Sequence, residues 1–272
     1  MVSASPTISS DADPLASCFA GLRAAGRRAL IPYLTAGYPA PDRTAGLLDV
    51  LADGGADVIE LGVPFSDPVA DGPTIQRSSQ RALEQGVNLR WTLDTLRSFR
   101  ARRTVPVVLF SYLNPVMDYG IARFITDAAA AGATGVLLTD LPAGADPILE
   151  RSFQEAPFSF IRLAAPTTPP ARLQRIADTA QGFLYYVGRM GVTGARHELR
   201  AQTLAEVTAL RARIGLPIAV GFGVSTPAQA AEIARVADGV VIGSALIDVL
   251  DRAGEAGVAS LMRQLRKAID EA

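Results

Sequence analysis

Eight short apolar runs, alternating with helical patterns along 272 residues, predict a single (β/α)8 TIM barrel with extra helices at the N-terminus and after the second strand. Three observations carry this reading. The length is about the roughly 250 residues that one such barrel needs. The runs are mostly unbroken by polar residues, as in parallel strands covered by helices. Their number, eight, favours a closed barrel over a doubly wound sheet, which the alternation alone would also satisfy.

Taken in order, residues 1–13 are small and polar and are expected to form a flexible tail, leaving 14–272 as one barrel domain with no dividing linker. The strand runs fall at 29–36, 57–63, 105–112, 135–141, 159–164, 183–187, 217–222 and 238–243. Between them, Asp42 is placed to cap a helix whose Leu47, Leu48 and Leu51 face inward, and Gly54-Gly55 stops it. The stretch 64–104 is too long for one loop and one helix, so an additional helix is expected there. Leu173, Ile176, Ala177 and Ala180 form one apolar stripe at helical spacing. Thr226-Pro227-Ala228-Gln229 reads as an N-cap, a proline at the first helical position and a capping-box glutamine. Val258, Leu261, Met262 and Leu265 make a closing helix.

Composition narrows the chemistry. A net charge of -1 offers no electrostatic reason to expect nucleic acid or an anionic membrane as partner. No apolar run approaches the ~20 residues of a membrane span, and no signal peptide is recognisable, so a cytoplasmic setting is expected. One cysteine, Cys18, excludes an intramolecular disulfide. The only lysine, Lys267, belongs to the closing helix, which argues against Schiff-base catalysis. The only histidine, His197, has no companion at ligand spacing, so no metal is expected and the residue reads as a solvated loop position. Any catalysis on this chain must rest largely on carboxylates, hydroxyls and backbone.

Glu60 stands out among the carboxylates. The strand period places it on the face of Val58 and Gly62, near the end of the second run, where barrel active sites lie. A dry strand face should raise its pKa and prepare it for proton exchange; the bland alternative is a partner for a buried arginine. The following segment, Pro64 to Pro73, is a shaped loop whose Asp67 and Asp71 are either functional or turn and cap residues. Glycines after the last two runs, Gly221-Phe222-Gly223 and Gly243-Ser244-Ala245, read either as tight turns or, taken as a pair beside helix N-termini, as a ready phosphate site. Gly188 to Gly194 reads as a flexible lid over the strand ends or as an ordinary loop.

The segment Glu60-Leu61-Gly62-Val63-Pro64-Phe65-Ser66-Asp67-Pro68-Val69-Ala70-Asp71-Gly72-Pro73-Thr74-Ile75-Gln76 closely resembles the signature of the tryptophan synthase alpha chain family. Gly191-Val192-Thr193-Gly194, Gly221-Phe222-Gly223 and Gly243-Ser244-Ala245 follow in that family's order and spacing, and the resemblance covers roughly residues 20 to 265. It implies retro-aldol cleavage of indole-3-glycerol phosphate to indole and glyceraldehyde 3-phosphate in L-tryptophan biosynthesis. Carried over by position, it implies that Glu60 protonates indole C3 and handles the glycerol hydroxyl proton. Asp71 would bond the indole nitrogen, Tyr185 stand beside the substrate, and Tyr33 and Tyr112 line the indole pocket. Gly194, Gly223, Gly243 and Ser244 match the phosphate set, and Thr193 matches a hydroxyl that reaches the aspartate when the lid closes. The loop with Asp67 and Pro68 would touch a beta chain in an α2β2 complex. No cofactor is implied for this chain; pyridoxal phosphate is expected only in the beta partner. Three positions, Phe183, Tyr186 and Gly188, depart from the family pattern, and the tail is longer than in many members. A stand-alone indole-releasing lyase and a non-catalytic barrel that activates a partner remain open at this stage.

Overall fold

The computed structural model describes residues 13–188, 196–221 and 223–272. Eight parallel strands close on themselves, each paired with the next in sequence and the last with the first. They are β1 (Ala29–Thr35), β2 (Ile59–Gly62), β3 (Val107–Ser111), β4 (Gly135–Leu138), β5 (Ser159–Ala164), β6 (Leu184–Val187), β7 (Ile218–Gly221) and β8 (Gly239–Ile242). Each falls inside its expected run. The closed barrel also explains why those runs are apolar without interruption, since both faces of the wall are dry.

The strand period of two sorts the side chains into two cores. Ile31, Val58, Val108, Leu137, Ile161, Tyr185, Ala219 and Val241, one from each strand or its foot, fill the interior. Leu30, Leu34, Ile59, Leu61, Val107, Val136 and Val240 point the other way, into the layer between wall and helices. The N-terminal helix α1 (Pro14–Ala24) plugs the barrel floor, with Leu15, Phe19 and Leu22 joining the interior core. Asp13, at the end of the expected tail, caps this helix through the amides of Leu15 and Ala16 and accepts the Ser159 hydroxyl at 2.7 Å. Phe183 meets Phe19 there at 5.4 Å between ring centroids, so its departure from the family pattern belongs to the floor.

Helix α2 (Thr44–Asp53) buries Leu47, Leu48 and Leu51 and ends at Gly54, with Gly55 at positive φ. Asp42 does not cap it. A 3₁₀ turn, Pro41–Arg43, runs straight into the helix, so Asp42 lies inside the turn and makes no capping bond. The long stretch after β2 holds α3 (Pro73–Glu84) and α4 (Leu89–Arg100), the extra element anticipated there. The remaining helices are α5 (Leu113–Tyr119), α6 (Ile121–Ala130), α7 (Pro147–Gln154), α8 (Pro170–Thr179), α9 (Arg196–Arg211), α10 (Pro227–Ala234) and α11 (Ser244–Asp270). In α8 the apolar stripe stops short, because Ala180 is the C-cap in extended conformation. Thr226 and Gln229 form the full capping box on α10. Contrary to the loop assignment, His197 lies in the first turn of α9, because the helix starts earlier than the loop-like sequence indicates. Helix α11 closes the chain with Val258, Met262 and Leu265 buried and a kink at Gly254. Among the described residues no helix is long and apolar enough to cross a membrane.

Candidate active site

The strand register sets the site. Tyr33 pairs with Glu60 across β1 and β2, and Glu60 with Val108 of β3. Two residues above Val58 on the same face, Glu60 therefore points into the barrel from the upper half of its wall. It is 1% exposed, and its Oε1 finds no hydrogen-bond partner among the described residues. With no cation among the described residues to oppose it, burial pushes its carboxyl up to about 8. A value above 7 favours the protonated carboxyl at neutral pH. The bland alternative, a partner for a buried arginine, is filled by another residue: Arg162 pairs with Glu150.

Asp71 sits in the loop that carries the chain from β2 to α3. Its carboxylate is not a helix cap, since the N-cap of α3 is Gly72 and that end has no side-chain cap. Instead the Tyr112 hydroxyl donates to Asp71 Oδ2 at 3.1 Å and accepts the Ala70 amide at 3.0 Å, which holds the loop over the pocket. Burial lifts the Asp71 carboxyl to about 6, and the Tyr112 hydrogen bond restrains that rise. Further bonds tie the same loop to α3: Ser79 Oγ bonds both the amide and the carbonyl of Phe65, and Gln76 donates to the Asp71 carbonyl at 2.8 Å. Asp67 occupies the exposed outer turn, where Ser66 donates to its carboxylate. Two residues on, Val69 is 84% exposed, a large apolar side chain turned to solvent.

Aromatic side chains line the space between the two carboxyls. The Tyr33 ring stands edge-on to Phe110 at 5.5 Å, and Tyr112 packs on Phe65 at 5.2 Å. Tyr33 and Tyr185 are both buried, and both phenols are raised by burial and by the charges of Glu60 and Asp71, which places all four groups around one volume. Two glycines make room for them. A Cβ on Gly62 would lie 2.1 Å from the Tyr33 hydroxyl, and one on Gly221 would lie 2.1 Å from that of Tyr185.

Sequence reading missed a hydroxyl chain behind Tyr33. Thr35 Oγ1 lies 3.3 Å from the Tyr33 hydroxyl and 2.7 Å from Ser78 Oγ, which in turn donates to the Ile75 carbonyl at 2.9 Å. It links the pocket to α3, the helix that follows Asp71. A signal was available: Ile75, Ser78, Ser79 and Ala82 recur at helical spacing, and the two serines share the buried face.

Across the barrel mouth, Gly223 has φ +74°, a conformation that side chains resist, and Gly243 precedes α11. The two helix ends here differ. On α10 the Gln229 amide donates to Thr226 Oγ1 and the Thr226 amide to Gln229 Oε1, whereas α11 has no side-chain cap and starts with exposed Ser244. The α11 terminus is thus the better anion seat. Thr193 and Gly194, with most of the expected lid, lie outside the described residues. At the edge of that segment, a Cβ on Gly188 would stand 2.9 Å from Thr203 Cγ2, which accounts for glycine there. Tyr186 faces the outer layer and donates to Glu206 at 2.6 Å, so its bulk stays out of the pocket. Among the described residues no cluster of three or more His, Cys, Asp and Glu has the arrangement to hold a metal ion.

Comparison with known proteins identifies the family. The family model described as tryptophan synthase alpha chain matches residues 19–270. A tryptophan synthase alpha chain of Xanthomonas euvesicatoria pathovar vesicatoria is 49% identical, over 94% of this chain and 98% of its own. One from Geobacter sulfurreducens is 47% identical, again over 94% of this chain and 98% of its own. The crystal structure of tryptophan synthase subunit alpha from Legionella pneumophila superposes with a TM-score of 0.87 at 38% identity, over 96% of this chain and 99% of that one. Likeness at this level runs from the floor helix to the closing helix and takes in the whole Glu60–Gln76 segment, so the chain belongs to the tryptophan synthase alpha chain family.

Proposed function

We propose that Glu60 and Asp71 divide the acid–base work of this family's reaction, the cleavage of indole-3-glycerol phosphate to indole and glyceraldehyde 3-phosphate in tryptophan biosynthesis. The observation that carries the assignment is the contrast between two carboxyls at one barrel mouth. Glu60 is dry, has one oxygen without a partner among the described residues and is raised to about 8, whereas Asp71 is raised only to about 6 and holds a hydroxyl donor. Between those values Glu60 keeps its proton while Asp71 is ionised, the division that an acid and a cation-stabilising base require.

Indole leaves poorly until C3 is protonated. Glu60 gives its proton to C3, and its carboxylate then takes the proton of the glycerol hydroxyl on the adjacent carbon as the carbon–carbon bond breaks. Glu60 ends the cycle reprotonated, and no external acid or base is consumed. Asp71 accepts a hydrogen bond from the indole N–H and opposes the positive charge that develops on the ring. Tyr33 and Tyr112 line the indole pocket and Tyr185 stands beside the reacting carbon. Gly223, Gly243 and Ser244 seat the phosphate at the α11 N-terminus, with Gly194 and Thr193 completing the closed site.

The partner is a beta chain that meets the Asp67–Pro68 loop, where exposed Val69 supplies apolar surface, in an α2β2 assembly. Pyridoxal phosphate belongs to that partner and no cofactor to this chain. Residues 14–272 act as one catalytic domain in the cytoplasm. The test is indole release from indole-3-glycerol phosphate, with and without added beta chain, by wild type and Gly223→Asp. Turnover that rises with the beta chain and a sharp loss of affinity in the variant are expected. A folded Gly223→Asp protein with unchanged affinity would move the phosphate elsewhere, and release without response to any beta chain would favour a stand-alone lyase.

A further inference from the structure

A second pocket lies at the rim between the C-terminal ends of β4 and β5 and helix α8. It is a cavity of about 160 Å³ whose lining includes neither Glu60 nor Asp71. Its walls are of two kinds. Leu138, Leu141 and Ile176 are apolar, whereas Arg162, Arg172 and Thr168 carry hydrogen-bond donors.

Arg162 is the unusual member. It is 3% exposed, its Nη2 is spent on Glu150, and its Nη1 donates to the Leu141 carbonyl at 3.3 Å. Its Nε has no acceptor among the described residues. A charged donor held dry without an acceptor is costly, and a ligand oxygen in the adjoining cavity would satisfy it. The local charge favours an anion. Glu150 is already neutralised by Arg162 and by the amides of Gly144 at 2.7 Å and Asp146 at 3.3 Å. That leaves exposed Arg172, in the first turn of α8, and the positive end of a helix without a side-chain cap.

We propose that this cavity binds a short aliphatic carboxylate. Arg162 Nε and Arg172 take the carboxylate, and Leu138, Leu141 and Ile176 cover the hydrocarbon tail. The apolar wall selects this class over a bare oxyanion such as inorganic phosphate, which has nothing to bury there.

The experiment titrates the full chain with isovalerate, followed by ligand-observed NMR and thermal shift, with isovaleramide and inorganic phosphate as controls. Saturable binding of isovalerate is expected, with little binding of the amide and no displacement by phosphate. Arg172→Ala, at an exposed position, should weaken binding about tenfold, the loss expected for one charge-assisted hydrogen bond. Ala143→Phe fills the cavity and should abolish binding. Absence of saturation, equal binding of the amide, displacement by phosphate, or affinity unchanged in Arg172→Ala would each overturn the proposal. The Arg172 variant decides the matter even where the phenylalanine variant folds poorly.

Discussion

Glu60 and Glu150 are both buried glutamates in the same barrel, 1% and 5% exposed, and they have been given opposite surroundings. Glu150, on α7, meets the Arg162 guanidinium and two backbone amides, which account for both of its oxygens. Glu60, on β2, faces the interior with no cation and one oxygen unpartnered among the described residues. A buried carboxylate with a full set of donors is a structural charge that pins a loop, here residues 141–146. One left without them is held as the neutral acid, with its proton available for chemistry. Burial by itself does not separate the two roles; the count of donors does.

The largest expected effect breaks the comparison on the catalytic side. Glu60→Gln preserves shape and removes the proton, so cleavage should fall by about 10²–10⁴, the usual weight of a general acid–base group. Stability should move the other way. The folded value of Glu60, about 8, lies above its ordinary 4.5, so its favourable contribution is complete below about pH 4.5 and is lost as pH rises toward 8. The variant should therefore be increasingly more stable than wild type across that window, by denaturant titration at several pH values. Near-normal turnover in a folded Glu60→Gln protein would remove Glu60 from the mechanism.

On the structural side, Arg162→Met strands Glu150 as a buried unpaired charge. A loss of about 3–5 kcal/mol in unfolding free energy is expected, much of it recovered when Glu150→Met is added. A double variant as unstable as the single one would mean that the arginine's packing on Phe160, rather than its charge pairing, carries the stability.

Smaller effects test how finely the pocket is fitted. Gly221→Ala drives a methyl to 2.1 Å from the Tyr185 hydroxyl, so the ring must move. Overpacking of this kind costs about 1–3 kcal/mol, and the displaced ring should raise KM for indole-3-glycerol phosphate as well. A variant that loses stability but keeps KM would place Tyr185 away from the substrate. The mildest change is Tyr112→Phe, which takes a donor from Asp71. Activity that needs ionised Asp71 is present above its pKa and lost as pH falls through about 6, and activity that needs protonated Glu60 is lost as pH rises through about 8. Removal of the Tyr112 bond raises Asp71 further, so the acid limb of the kcat/KM profile should move to higher pH while the alkaline limb stays. An acid limb that does not move would mean it reports another group.

Much of this was legible in the chain itself. Uninterrupted apolar runs define the eight strands because both faces of a barrel wall are dry, and the period of two was enough to turn Glu60 inward. Local caps such as Thr226 with Gln229 follow from neighbouring residues, and so were readable in full. The places where local reading failed are those where a neighbour in sequence competes: Asp42 is absorbed by a turn, and His197 by a helix that begins early.

The long-range pairings belong to tertiary structure alone. No local pattern tells that Asp71 meets Tyr112 across 41 positions, that Thr35 reaches Ser78 across 43, or that Arg162 pairs with Glu150. The reason is physical. A side chain's face follows from the repeat of its own strand or helix, whereas its pKa depends on which charges and donors closure of the barrel brings within a few ångströms, and those come from other strands and loops.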